Sequence, residues 1–355
     1  MALMTENLIN YYGPILERYN IPKPDFIEEN GKVKKVSTKN GIYALKSISS
    51  KEAKQFPTII NKLYHQGFTR IVPLYSTREN HYITQYDNKY HYLMPWFSNE
   101  LRKERDERHQ MLFRELARLH TYSAKESAIN ESDVTEHYQF LTDQWDKRLT
   151  FLEKFVTNCE EKWYMSPFEL QFCTFYHEMV QAGNFARVKF DEWYEMMKEK
   201  KKVRTVLNHG KVSVKHFLFD EKGNGYFCNF ERAKVASPIN DLISFYYRTL
   251  HTYPVQSYEC LDWLSTYRKS FQLKEEELTL LLSYMTFPEP LYRCALNYSS
   301  KNRNNSERQY VRELQKSYWQ MKNIEFIVTA LVEEEKRKQE QEQQELLQKE
   351  EQSHT

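Results

Sequence analysis

Six side chains between Asn208 and Leu242 have types and spacing that could do chemistry: His209, Lys211, His216, Asn229, Glu231 and Asp241. Metal-assisted transfer of a phosphoryl group needs a carboxylate to orient and deprotonate the attacking hydroxyl. It also needs oxygen ligands for the Mg²⁺ that neutralises the phosphates. In this segment Lys211 follows the His209–Gly210 pair, and a charged lysine is no base and repels a metal. His216 and Asn229 carry an imidazole and an amide, and the carboxylates among the six are Glu231 and Asp241.

The elements that must position these groups are short. Val203 to Leu207 and Phe217 to Phe219 are apolar runs that predict buried strands, and Gly223-Asn224-Gly225 predicts a tight reversal into a third strand, Tyr226 to Phe230. This strand, loop, strand, turn, strand order resembles the catalytic and metal-binding loops of aminoglycoside-phosphotransferase-like and choline-kinase-like enzymes. Their pattern is His-Gly-Asp, four variable residues and Asn, then Asp-Phe-Glu, then Asp-Leu at a helix start. His209, Gly210, Phe230, Glu231, Asp241 and Leu242 match it. Lys211 stands at the catalytic Asp, His216 at the metal-binding Asn and Asn229 at the second metal-binding Asp. The resemblance implies that His209 and Asp241 brace the loop, that the degenerate positions Lys211, His216 and Asn229 leave no catalytic residue, and that no cofactor and no metal is expected.

The first half of the chain extends the resemblance. Gly41 to Ile48 reads as a strand carrying Lys46, like the small-lobe lysine that grips nucleotide phosphates. Lys46 is therefore the one candidate cofactor-binding residue, against its alternative as a solvated strand lysine. Phe56, Ile59, Ile60, Leu63 and Tyr64 recur at helical spacing, with Pro57 expected in a first turn. The helix position that pairs a Glu with the lysine in active kinases falls on Asn61, with Glu52 nearer the helix start. Ile71 to Tyr75, His81 to Gln85 and Tyr90 to Phe97 read as strands, the last entering a hinge at Met94 to Phe97. Met111 to His120 matches the Leu-Ala-x-Leu-His helix of these proteins, with His120 packed beneath the loop.

Within this superfamily the chain is most similar to bacterial spore-coat proteins of the CotS, YutH and YsxE type. The likeness lies in Leu8 to Gly13, in Tyr64 to Pro73 and in Phe287 to Tyr292, where a pair of helices begins. The resemblance implies an α+β, bilobal protein-kinase-like fold: a small β-rich lobe over 1–92, a larger mostly helical lobe over 93–331, and a charged polar tail over 332–355, helical or disordered. It implies a structural or assembly role in the spore coat, synthesis in the mother-cell cytoplasm, and other spore-coat proteins as partners. Two competing readings are an active atypical small-molecule kinase using His216 and Glu231 for ATP and Mg²⁺, and a nucleotide-sensing module that keeps Lys46 without catalysis.

Composition agrees. With 51 Lys and Arg against 49 Asp and Glu the formal charge is +2, so no net field draws nucleic acid. Lys198 to Arg204 reads as a solvated helix end. No apolar run reaches the roughly 20 residues of a membrane span, and the first residues lack a leader's charged and apolar regions, so no membrane insertion is expected. The five cysteines have no metal-ligand spacing and read as reduced thiols. In the tail, Glu333 to Gln352, Leu346 and Leu347 are the only apolar residues, which leaves no heptad seam.

Overall fold

A computed structural model of the chain describes residues 2–97, 105–251, 256–300 and 305–353. Its elements run α1 (Ala2–Arg18), β1 (Phe26–Asn30), β2 (Val33–Thr38), β3 (Gly41–Ile48), α2 (Ser50–His65), β4 (Ile83–Tyr86), β5 (Lys89–Pro95) and α3 (Arg105–Ser123). Then come β6 (Lys125–Ala128), α4 (Glu131–Glu160), α5 (Pro167–Lys198), β7 (Lys202–Asn208), β8 (Phe217–Phe219), β9 (Gly225–Phe227) and β10 (Lys234–Ala236). The chain closes with α6 (Ile239–Leu250), α7 (Glu259–Arg268), α8 (Glu275–Thr286), α9 (Glu289–Ser299) and α10 (Glu307–Ser353).

Two compact units result. One comprises Met1–Lys125 with Val206–Ala236, the other Glu126–Thr205 with Ser237–Thr355. The first is built on an antiparallel sheet of order β1-β2-β3-β5-β4. Because side chains alternate across a strand, β3 and β5 each serve two faces. Leu45 and Leu93 point to one side and form a core with Tyr12, Ile15 and Leu16 of α1. Tyr92 points to the other side, where Phe56 of α2 lies 4.8 Å from its ring. The segment 206–236 belongs to this unit and carries the β8–β9 hairpin, with Phe217 opposite Phe227 and Phe219 opposite Gly225.

Three local expectations are corrected. The second helix starts at Ser50, because Ser49 and Glu52 form a reciprocal capping box ahead of it. Pro57 therefore sits in the helix interior, where its missing N–H forgoes the bond to the Ala53 carbonyl. Ile71 to Tyr75 is no strand: Ile71 makes one isolated bridge to Phe227, and Val72 donates to the Phe227 carbonyl at 2.9 Å. Pro73 then has no N–H with which to continue a ladder. The strand expected to reach Phe230 stops at Phe227, because Asn229 takes the left-handed conformation (φ 72°) and turns the chain into a 3-10 turn at Phe230–Arg232.

The second unit is mainly helical. Ser166 and Glu169 cap α5 reciprocally with Pro167 at its first position, and α5 packs with α4 around Leu152, Val156, Phe168 and Phe172. A second cluster joins Trp145, Phe190 and Trp193 to Phe287, the Trp145 and Phe287 rings being stacked at 4.5 Å. Helix α10 buries Leu314, Ile324, Ile327 and Leu331 and then continues as an exposed, charged helix. None of the five cysteines forms a disulfide, and four are buried. Among the described residues no helix is long and apolar enough to cross a membrane.

One buried group makes the first unit sensitive to acid. His91 of β5 is fully buried beside the α1 core; its Nδ1 lies 3.1 Å from the Ser47 hydroxyl, and its Nε2 has no hydrogen-bonding partner among the described residues. Burial, helped by the nearby Lys89 charge, pushes it down to about 4 from its ordinary 6.5. A folded state that holds a proton less tightly than the unfolded one has its full stability above the unfolded value and loses it as pH falls through the folded value. Between about pH 6.5 and 4 the loss should reach about 2–3 kcal/mol. Urea unfolding at pH 7.5 and 4.5 should show a smaller acid loss in His91→Gln than in the unaltered protein; equal losses would clear His91 of this role.

Candidate functional site

The antiparallel register of β3 and β5 places Lys46 directly opposite Tyr92, so both side chains leave the same face of the sheet. They converge on Glu231. The Lys46 Nζ donates to Glu231 Oε1 at 2.5 Å and also to Asn229 Oδ1, while the Tyr92 hydroxyl donates to the same Glu231 oxygen at 2.6 Å. Only 11 % of the lysine side chain and 6 % of the glutamate side chain are exposed. Burial alone would raise the Glu231 carboxyl; the Lys46 charge and the hydrogen bonds from Lys46 and Tyr92 outweigh it and hold the group below its ordinary value. Burial and the Glu231 charge together push the Tyr92 hydroxyl well up. The solvated-lysine alternative for Lys46 does not describe this structure.

The loop after β7 is built on a glycine. Gly210 has φ 74°, and a Cβ there would stand 2.3 Å from the Arg232 carbonyl oxygen, so the two segments approach through bare backbone. His209, fully buried, bridges them: its Nε2 donates to the Cys228 carbonyl at 2.7 Å, and its Nδ1 accepts from the Lys211 N–H at 3.2 Å. Upstream, Ser123 at the end of α3 accepts from the Leu207 N–H at 3.0 Å. The His216 Nδ1 donates to the Lys211 carbonyl at 2.7 Å, and burial, reinforced by the His209, Lys211 and Lys46 surroundings, pushes His216 down to about 4, so it is neutral at neutral pH. Burial pushes the Cys228 thiol up to about 12, which leaves it unreactive.

Lys46, Lys211, His216, Asn229 and Glu231 thus line one cleft of about 230 Å³, together with Lys32, Glu52 and Arg232. Asp241 is buried in the first turn of α6, in the second unit. Asn61, at the position where kinases carry the pairing glutamate, does not line the cleft. Sequence reasoning missed Tyr92, Lys32 and Arg232. The signal for Tyr92 existed: its position in β5 is set by the hairpin to β4 and the register against β3. Lys32 and Arg232 left none, since a turn lysine and an arginine after Glu231 are ordinary surface residues.

The chemistry open to this arrangement is narrow. Lys46 is occupied by Glu231 and Asn229. The group after Gly210 is an ammonium. Among the described residues no three His, Cys, Asp or Glu side chains converge on a point where a metal ion could sit. The side chains there that could ligate a metal, His216, Asn229, Glu52 and Glu231, are each already engaged by Lys211, Lys46 or Ser49, and two lysines stand beside them, which suits a phosphate-bound Mg²⁺ poorly.

Comparison with known proteins bears on the fold. Residues 14–178 match the family described as "Spore coat putative kinase YutH". The comparison with curated proteins gives no match. Among solved structures, an aminoglycoside phosphotransferase from Alicyclobacillus acidocaldarius subsp. acidocaldarius DSM 446 is similar with a TM-score of 0.70 and 15% identity, over 90% of this chain and 94% of that one. The AMP-bound spectinomycin phosphotransferase APH(9)-Ia is similar at 0.57 and 14% identity, over 91% and 98%. A microcompartment-associated aminopropanol kinase is similar at 0.55 and 12% identity, over 91% and 98%. The chain has the α+β, protein-kinase-like fold of the aminoglycoside phosphotransferases, and its residues 14–178 carry the sequence pattern of the YutH spore-coat family.

Proposed function

We propose that this protein is a catalytically silent kinase-like component of the bacterial spore coat, made in the mother-cell cytoplasm and retained for structure or assembly. The observation that carries the proposal is the buried Lys46–Glu231 pair in a cleft whose base and metal positions hold Lys211, His216 and Asn229. A charged lysine takes no proton from a hydroxyl, and a cleft with more cations than carboxylates repels Mg²⁺. The coat role rests on the family matched by residues 14–178. Its partners are other spore-coat proteins, met through the folded units, because the exposed extension of α10 has no apolar seam to bury. Neither nucleic acid nor a membrane is among them.

Two measurements test this. A ligand present at a hundredfold excess over its dissociation constant stabilises the folded state by about 2.7 kcal/mol. Millimolar Mg-ATP should therefore leave the thermal midpoint unchanged, and ATP turnover should not exceed a blank. A rise of several degrees, or turnover lost in Lys46→Met, would favour the active atypical kinase instead. In sporulating cells a fluorescent fusion should mark the developing spore. The paired variant Lys46→Met with Glu231→Gln and a chain ending at Leu331 should do the same. A diffuse mother-cell signal from the unaltered fusion would reject the coat role.

A further inference from the structure

Helices α4 and α5 run antiparallel side by side, and two facing pairs fix their register. Tyr138 and Tyr194 stack with ring centroids 4.1 Å apart. Leu149 faces Gly183, where an added Cβ would stand 3.0 Å from the leucine Cδ2, so the two backbones approach closely there. From Tyr138 to Leu149 is eleven residues along α4, and from Tyr194 back to Gly183 is eleven along α5. Three helical turns take about 10.8 residues, so a further step of ten in each helix stays on the same facing stripe. That step ends on Cys159 in α4 and on Cys173 in α5. The two thiols do meet, through a side-chain hydrogen bond. Packed helices lie about 8–10 Å apart axis to axis and carry each Cα about 2.3 Å off axis, so directly facing Cα atoms stand about 3.4–5.4 Å apart. A disulfide spans Cα separations of about 4.4–6.8 Å. The ranges overlap, and closing the bond needs little movement of either helix.

We propose that Cys159 and Cys173 form a covalent modification site, a thiol pair that a small-molecule disulfide oxidant converts into a disulfide stapling α4 to α5. The bond closes the segment 159–173, which carries Trp163 and Tyr164, the two most exposed large apolar side chains among the described residues. It would therefore fix the end of the helical hairpin that presents them. Cys173, partly exposed, reacts first: its thiolate attacks one sulfur of the oxidant and expels a thiolate, leaving a mixed disulfide. The buried Cys159 then loses its proton and attacks the Cys173 sulfur, expelling the second thiolate. The two cysteines give up two electrons and two protons, which the oxidant takes up as two thiols. Burial pushes both thiols up, Cys159 to about 12, so closure is slow at neutral pH and faster in alkali.

The test holds the full chain overnight with oxidised glutathione at pH 8.5, removes the reagent and counts thiols in denaturant. The count should fall from five to three. Trypsin cuts after Lys162, inside the closed segment, so the bond should join peptides 155–162 and 163–187 in one species two hydrogen atoms lighter than the pair. The thermal midpoint should rise on the order of 5 °C and return with dithiothreitol. Cys159→Ala and Cys173→Ser should each abolish the linked peptide and the rise. Melting curves of the reduced variants confirm folding, and Cys173→Ser, at the more exposed position, keeps the comparison if Cys159→Ala does not fold. A count that stays at five, glutathione left on Cys173 with no linked peptide, a disulfide between two chains instead, or a midpoint unmoved or lowered by closure would overturn the proposal.

Discussion

Glu231→Ala should be among the most destabilising single changes in the first unit, costing about 3–5 kcal/mol. It would leave the Lys46 ammonium buried with the Asn229 amide oxygen as its remaining acceptor, and it would remove the acceptor of the Tyr92 hydroxyl. Breaking a buried pair costs more than the pair contributes, because the surviving charge keeps its desolvation penalty. Removing both partners in Lys46→Met with Glu231→Gln should therefore recover much of the loss. Urea unfolding of the two single variants and the double variant gives the coupling. A Glu231→Ala cost below about 1 kcal/mol, with additive effects in the double variant, would mean that the pair is solvated and that the cleft is wetter than the structure describes. The carboxyl is held below its ordinary value, so the pair's contribution is full above the ordinary carboxylate range. It fades as pH falls below the ordinary carboxylate range and through the folded-state value.

Gly210→Ala should cost a similar amount, about 3 kcal/mol, from two sources that act together. The residue sits at φ 74°, and the added methyl carbon would stand 2.3 Å from the Arg232 carbonyl oxygen, which is backbone and cannot swing aside. The loop would have to part from the Phe230–Arg232 turn, loosening the His209 bond to the Cys228 carbonyl and the setting of Lys211 beside the cleft. Thermal unfolding reads the effect, at roughly 2–4 °C per kcal/mol for a unit of this size. Gly13→Ala is the control: Gly13 lies in α1, and a Cβ there meets nothing within 4 Å, so it should leave the midpoint nearly unchanged. A Gly210→Ala midpoint within a degree of the unaltered protein would show that the loop does not need the close approach.

Much of the site's framework was readable from residue order alone, because local physics determined it. The glycine turn at 223–225, the strand carrying Lys46 and the Met111–His120 helix follow from short-range rules of backbone conformation and apolar spacing, and each stands where the sequence placed it. It was the resemblance to the phosphotransferases that implied that Lys211, His216 and Asn229 occupy positions that metal-assisted chemistry would give to other groups. What residue order could not reveal is which carboxylate answers Lys46. On the following helix the pairing position falls on Asn61, which has no carboxylate, and Glu52 lies too near the helix start; the partner is Glu231, 185 residues away, brought in by the left-handed turn at Asn229 and presented with Tyr92 by the register of β3 on β5. Pairing across such a separation depends on closure of the sheet unit by the segment 206–236, a long-range event that no periodicity encodes. The same closure decides that Lys46 is buried and neutralised, and that Lys32, Lys211 and Arg232 surround one cleft. Charge in a sequence is a count; only the folded backbone turns it into a field with a position.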